Sequence, residues 1–83
     1  MKWTSREAVT RALGAAIRAE RQRQALSQEH VAHEAGLSVR HYGKIEQGTE
    51  NVTIGSLVDI ARVLGHDFGE LVFLARDLRK RAK

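Results

Sequence analysis

Gly36 separates two short stretches in which apolar residues recur with the period of an α-helix, roughly Gln28 to Ala35 and Val39 to Gln47. This junction constrains the fold more than any other feature. Two helices joined by so short a turn must cross steeply and approach closely. Close approach needs a small residue facing the partner helix, and Ala32 supplies it beside the apolar Val31. The turn needs a residue without a Cβ, which is Gly36, flanked by the inward-facing Ala35 and Leu37. The second stretch needs apolar anchors three apart, and Tyr42 and Ile45 provide them. Its remaining positions point outward and carry Arg40, His41 and Lys44, with no carboxylate before Glu46.

The rest of the chain reads as helix too. It has no proline, and its apolar residues keep a 3.6-residue period without strand-like alternation, which predicts an all-α, five-helix fold. Its 83 residues predict one domain. A first helix is expected from about Ser5 to Ala25, with Thr4 and Glu7 as a capping box, Trp3 stapled onto Ala8, and an inner stripe of Val9, Leu13, Ala16 and Ile17. Ser27 and Ser38 cap the second and third helices, and Gly48 ends the third. Thr53 caps a fourth, with Ile54, Leu57, Ile60, Ala61 and Leu64 inward, and Gly65 ends it. Asp67 and Glu70 form a capping box for a fifth, which runs into the basic tail Arg79, Lys80, Arg81 and Lys83.

Composition excludes several classes. The chain has no cysteine, so it has neither disulfides nor thiolate metal sites. No apolar run approaches the roughly 18 residues of a membrane span. The opening MKWTSREAV has an early acid and no apolar core, unlike a secretory signal, so a cytoplasmic, nucleoid-associated location is expected. Fourteen Lys and Arg against ten Asp and Glu give a net charge of +4, a moderate excess whose placement matters more than its size. His30 and His33 lie among Glu29 and Glu34, but H-E-x-x-H spacing is absent and no third ligand is evident. No metal, cofactor or catalytic constellation is expected, and the chain does not read as an enzyme.

The central stretch therefore reads as a helix-turn-helix that presents its second helix to double-stranded DNA. Arg40 fits the paired acceptors of guanine, Val39 suits a thymine methyl, and Lys44 reaches either a base or a phosphate. Two packed helices of some other bundle would leave that face free to be acidic or neutral.

With AIRAERQRQALSQEHVAHEAGLS, IEQG and VTIGSLVDIARVLG in place, the chain resembles the phage-repressor-like helix-turn-helix family, the XRE or Cro/repressor type, over about Leu13 to Val72. The resemblance implies a lambda-repressor-like fold with the third helix in the major groove, Val39, Arg40, His41 and Lys44 on its base-contacting face, and homodimers on paired half-sites. It implies phosphate contacts from Ser27, Gln28, Gln47, Thr49 and Asn51, with Gln28 also bracing the third helix. It also implies a salt bridge between Arg21 and Glu46, tying the first helix to the end of the third. Three departures stand out: Tyr42 replaces an aliphatic anchor, Gly43 interrupts the recognition helix, and the following loop contains Glu50 in place of basic residues.

The fifth helix carries more apolar surface than one core absorbs. Phe68, Leu71, Val72, Phe73 and Leu74 are the expected dimer interface, with residues 67–83 as the dimerisation element. The expected function is that of a sequence-specific transcriptional regulator, a homodimer on a roughly palindromic operator. The length and NVTIGSLVDIARVLG look like the controllers of restriction-modification operons, while a phage-type repressor and an antitoxin-type autorepressor stay open. RNA polymerase is a candidate partner through Glu29 and Glu34. The alternative of another class is a protein-interaction module or coactivator.

Overall fold

The computed structural model describes the backbone of residues 3–81 and the side chains of residues 3–78. Five helices follow in order: α1 Arg6–Arg23, α2 Gln28–Glu34, α3 Val39–Gln47, α4 Ile54–Val63 and α5 Phe68–Arg81. No strand occurs among the described residues. The caps of α2 to α4 are the expected ones: Ser27, Ser38 and Thr53 accept from the amides of His30, His41 and Ser56. Asp67 and Glu70 close a reciprocal box, each side chain accepting from the other's backbone N–H at 2.8 Å.

The start of α1 departs from expectation. Ser5, not Thr4, is the N-cap, its Oγ accepting from Ala8 N at 3.1 Å. Two adjacent hydroxyls compete for this role, and burial of Ala8 and Ala12 sets the helix one residue later. Glu7 is then out of register for a box, and Trp3 for a staple. Trp3 instead packs against the core with its ring beneath the Arg76 guanidinium, 5.5 Å from the centroid. The far end of α1 is also shorter than expected. The chain turns at Ala25, a non-glycine residue at φ 57°, and Leu26 N donates back to Arg21 O at 3.1 Å. That is the geometry of a glycine-type C-cap formed by an alanine.

One core binds the helices. Ile17, Val31, Tyr42, Ile60 and Leu71 are its largest fully buried side chains. Ile54 is a correction: expected inside, it is 65% exposed at the first position of α4. Val9 sits half-buried at the core's edge.

Two glycines serve different ends. Gly36 adopts φ 74°, yet a Cβ there would meet nothing within 4 Å, so the turn demands its dihedral and not its small size. Gly14 is the reverse. A Cβ on it would lie 2.3 Å from the Ile45 carbonyl oxygen and 2.7 Å from that of Glu46. The backbone of α1 thus lies directly against the last turn of α3, and this contact sets the height at which α3 stands above the core.

Candidate nucleic-acid interface

The side chains of α3 divide sharply. Tyr42, Ile45 and Glu46 are buried. Arg40, Lys44 and Gln47 fall at i, i+4 and i+7 on the opposite side, one stripe facing out. Val39 is 42% exposed beside that stripe, and His41 is half-buried at its other edge. A Cβ at Gly43 would meet open space, so the middle of this face is flat. The four residues expected to read bases therefore lie on the outward side of α3, Val39 and Arg40 exposed, His41 and Lys44 half-buried.

Beneath it lies a polar cluster that fixes α3 from below. Arg21 Nε donates to Glu46 Oε2 at 2.6 Å and Nη2 to Oε1 at 3.1 Å, while Nη1 reaches the Leu26 carbonyl at 2.9 Å. Gln28 Nε2 donates to Glu46 Oε1 at 2.9 Å, and the Tyr42 hydroxyl donates to Oε2. The Glu46 side chain is only 2% exposed and that of Arg21 12%, yet the carboxylate is surrounded by donors. Burial pushes the Glu46 carboxyl up, but hydrogen bonds from Arg21, Tyr42 and Gln28 outweigh it and hold it below the ordinary value. The Arg21 guanidinium is held more firmly protonated by its bonds to Glu46. Burial, then Glu46, pushes the Tyr42 phenol up, so it stays a donor. The aromatic departure at position 42 thereby gains a partner: its ring fills the core and its hydroxyl joins the cluster.

The residues assigned to phosphate surround the same face. Ser27 is exposed, and its hydroxyl accepts from His30 N at 3.0 Å, a bond that leaves its proton to donate. Gln28 is half-buried, with its amide turned to Glu46, so bracing α3 is the role its geometry serves. Gln47, Thr49 and Asn51 are exposed at the end of α3 and in the loop beyond.

Two groupings escaped the sequence. Glu50 in that loop pairs with His41 Nδ1 and lies 3.6 Å from Lys44 Nζ, joining two base-reading candidates to an acid. Glu20 on α1 is buried and receives Arg23 Nη2 at 2.6 Å, His66 Nε2 at 2.8 Å and Gln24 Nε2 at 3.3 Å. The Arg23 hydrogen bond leads in drawing its carboxyl down to about 2, against the effect of burial, with His66 and Gln24 assisting. The Glu20 bond raises the His66 imidazole above its usual value, with Glu70 adding to it. Glu20 continues the inner stripe of Leu13, Ala16 and Ile17, and an acid on an apolar period was the available signal.

The dimer set needs correcting. Leu71 is 0% exposed and belongs to the protomer's own core, because the apolar period of α5 turns it toward α1. Phe68 and Val72 are partly buried against that core. Phe73, 68% exposed, and the half-buried Leu74 remain at the surface. The side chains of the basic tail lie outside the described residues.

A pair of short helices with a basic outward stripe, braced from below, is matched at the level of family. The helix-turn-helix family model covers residues 17–71. The chain belongs to the XRE-type helix-turn-helix family. Members of this family are DNA-binding transcription regulators. Over 48 residues it is 44% identical to the uncharacterized HTH-type transcriptional regulator y4dL of Sinorhizobium fredii, a match spanning 58% of this chain and 24% of that longer protein. The clp gene regulator ClgR of Corynebacterium glutamicum shares the fold, with a TM-score of 0.80 over 83% of this chain and 73% of that one at 23% identity. The restriction-modification controller protein C.AhdI of Aeromonas hydrophila superposes with a TM-score of 0.72 at 31% identity, over 75% of this chain and 94% of that one. No helix among the described residues is long and apolar enough to cross a membrane.

Proposed function

We propose that this helix-turn-helix protein binds duplex DNA as a homodimer, laying α3 of each copy in the major groove of one half-site of a roughly palindromic operator. The observation that carries this is the outward stripe of α3, clamped from beneath by Arg21 and Glu46. Arg40 reads guanine in a bidentate way, Val39 meets a thymine methyl, and His41 and Lys44 contact the remaining base edges. Ser27, Gln28, Gln47, Thr49 and Asn51 set the register on the phosphates, which positions the helix without specifying sequence. The second copy docks through the surface part of α5, with Phe73 at its centre and Leu74 beside it. The protein acts in the cytoplasm at the nucleoid.

Control of a restriction-modification operon is the favoured biological role, supported by the likeness to C.AhdI over nearly all of that chain. Glu29 and Glu34, exposed on α2, offer an acidic contact for RNA polymerase in that setting. Selection from random duplex DNA tests the proposal. Two inverted half-sites about one helical turn apart are expected. Enrichment of no palindrome overturns the proposal. Alanine at both Arg40 and Lys44 separates it from a protein-interaction module, which would keep its activity. Sedimentation at micromolar concentration is expected to show a dimer, and Phe73→Ala to shift it to monomer.

A further inference from the structure

The proposed reading face carries an acid for which DNA binding has no obvious use. Glu50 reaches back from the loop to α3, where Oε1 pairs with His41 and Oε2 lies 3.6 Å from Lys44 Nζ. All three side chains sit at the rim, between 35% and 43% exposed, within reach of any polyanion that docks there. Among the described residues of this face, the Arg40 guanidinium has no ion-pair partner, whereas the Lys44 ammonium does.

Binding to DNA of arbitrary sequence is driven by cations that neutralise phosphates, and each such contact steepens the dependence on salt. A carboxylate beside Lys44 removes that cation from the count and repels phosphate as well. At an operator, base acceptors placed by the docked helix can take over His41 and Lys44 from Glu50. At other sequences only mobile phosphates compete for them. Specificity is a difference between two affinities, and lowering the unwanted one raises it.

We propose that Glu50 is a specificity-determining residue: by holding His41 in a hydrogen bond and Lys44 in an ion pair on the recognition face, it suppresses binding to wrong sequences more than binding to the operator. This rests on the DNA-binding function proposed above and deepens it.

The test compares the full chain with Glu50→Gln on two duplexes of about 20 base pairs, one of random sequence and one carrying the selected operator, over a range of salt. The variant is expected to bind random DNA about tenfold more tightly at low salt, with a log–log salt slope steeper by about one. Operator affinity is expected to rise less, so the specificity ratio falls. Its melting temperature is expected to match the wild type, since ion pairs this exposed contribute little. In a background of His41→Ala with Lys44→Met, the same substitution is expected to leave the slope unchanged. An unchanged slope and random-DNA affinity in Glu50→Gln overturn the inference, as does the full effect persisting in that background. A wild type that binds neither duplex overturns the DNA-binding function itself, an outcome distinct from these.

Discussion

Adjacent residues at the end of α1, Glu20 and Arg21, lead to two polar clusters on different sides of the same helix. Arg21 turns toward α3 and meets Glu46, Tyr42 and Gln28. Glu20 turns toward the α4–α5 turn and meets His66, Arg23 and Gln24, whose Nε2 also donates to the Leu64 carbonyl at 2.8 Å. In the first cluster both charges are largely buried, whereas in the second Arg23 is 67% exposed. The first contains no group that titrates near neutrality. The second contains a histidine. A cluster beneath the helix proposed to read DNA has to hold one position over the whole working range of pH. A cluster that only joins α1 to a distant turn is free to vary. Breaking the first should cost both fold and function, and breaking the second fold alone.

The largest expected effect is that of Glu46→Ala. It strands the Arg21 guanidinium in a nearly buried site, a change that typically costs about 3–5 kcal/mol. The expected result is a large fall in the midpoint of chemical denaturation, together with loss of operator binding. Tyr42→Phe is milder. It keeps the ring in the core but removes one donor to a charged acceptor, for an expected loss of about 1.5–3 kcal/mol by the same measurement.

Glu20→Ala is expected to cost about 1 kcal/mol, because solvent screens the Arg23 partner, and to leave operator affinity unchanged. The smallest effect is one of pH. His66 titrates above its usual value when folded, so its contribution is complete below about pH 6.5 and disappears as pH rises through the raised folded value. Glu20 titrates at about 2 when folded against 4.5 when unfolded, so its contribution is complete above 4.5 and disappears as pH falls toward 2. The second cluster is therefore strongest between about pH 4.5 and 6.5. The first keeps its strength on the alkaline side, since Arg21 and Tyr42 are both shifted upward. Thermal melts of wild type and His66→Gln are expected to differ near pH 5.5 and to converge above neutrality. A constant difference across that range would remove the distinction between the clusters.

The same comparison shows what was legible beforehand. The bounds of α3 and the start of α2 followed from Ser27, Ser38 and Gly48, because a cap is a local event that adjacent residues announce. At Thr4 and Ser5 two caps competed, and core packing decided between them. Burial of Leu71 could not be read from four consecutive apolar residues, since such a run does not say which side faces the protomer. The outward grouping of Val39, Arg40, His41 and Lys44 followed from helical period alone. Glu20 with His66 and Glu50 with His41 required the path of the chain through turns, which period does not supply. Gly14 belongs with them, because its need for a missing Cβ arises where α1 crosses α3, 31 positions away at Ile45.

Operator affinity of Glu46→Gln and Glu20→Gln tests the division of labour most directly, measured per folded molecule at a temperature where both variants are folded. Each substitution removes one negative charge, so their effects on net charge cancel in the comparison. The prediction is a loss of about tenfold or more for Glu46→Gln, equivalent to about 1.4 kcal/mol or more, and wild-type affinity for Glu20→Gln. Equal losses in the two variants, or wild-type affinity in both, would contradict it.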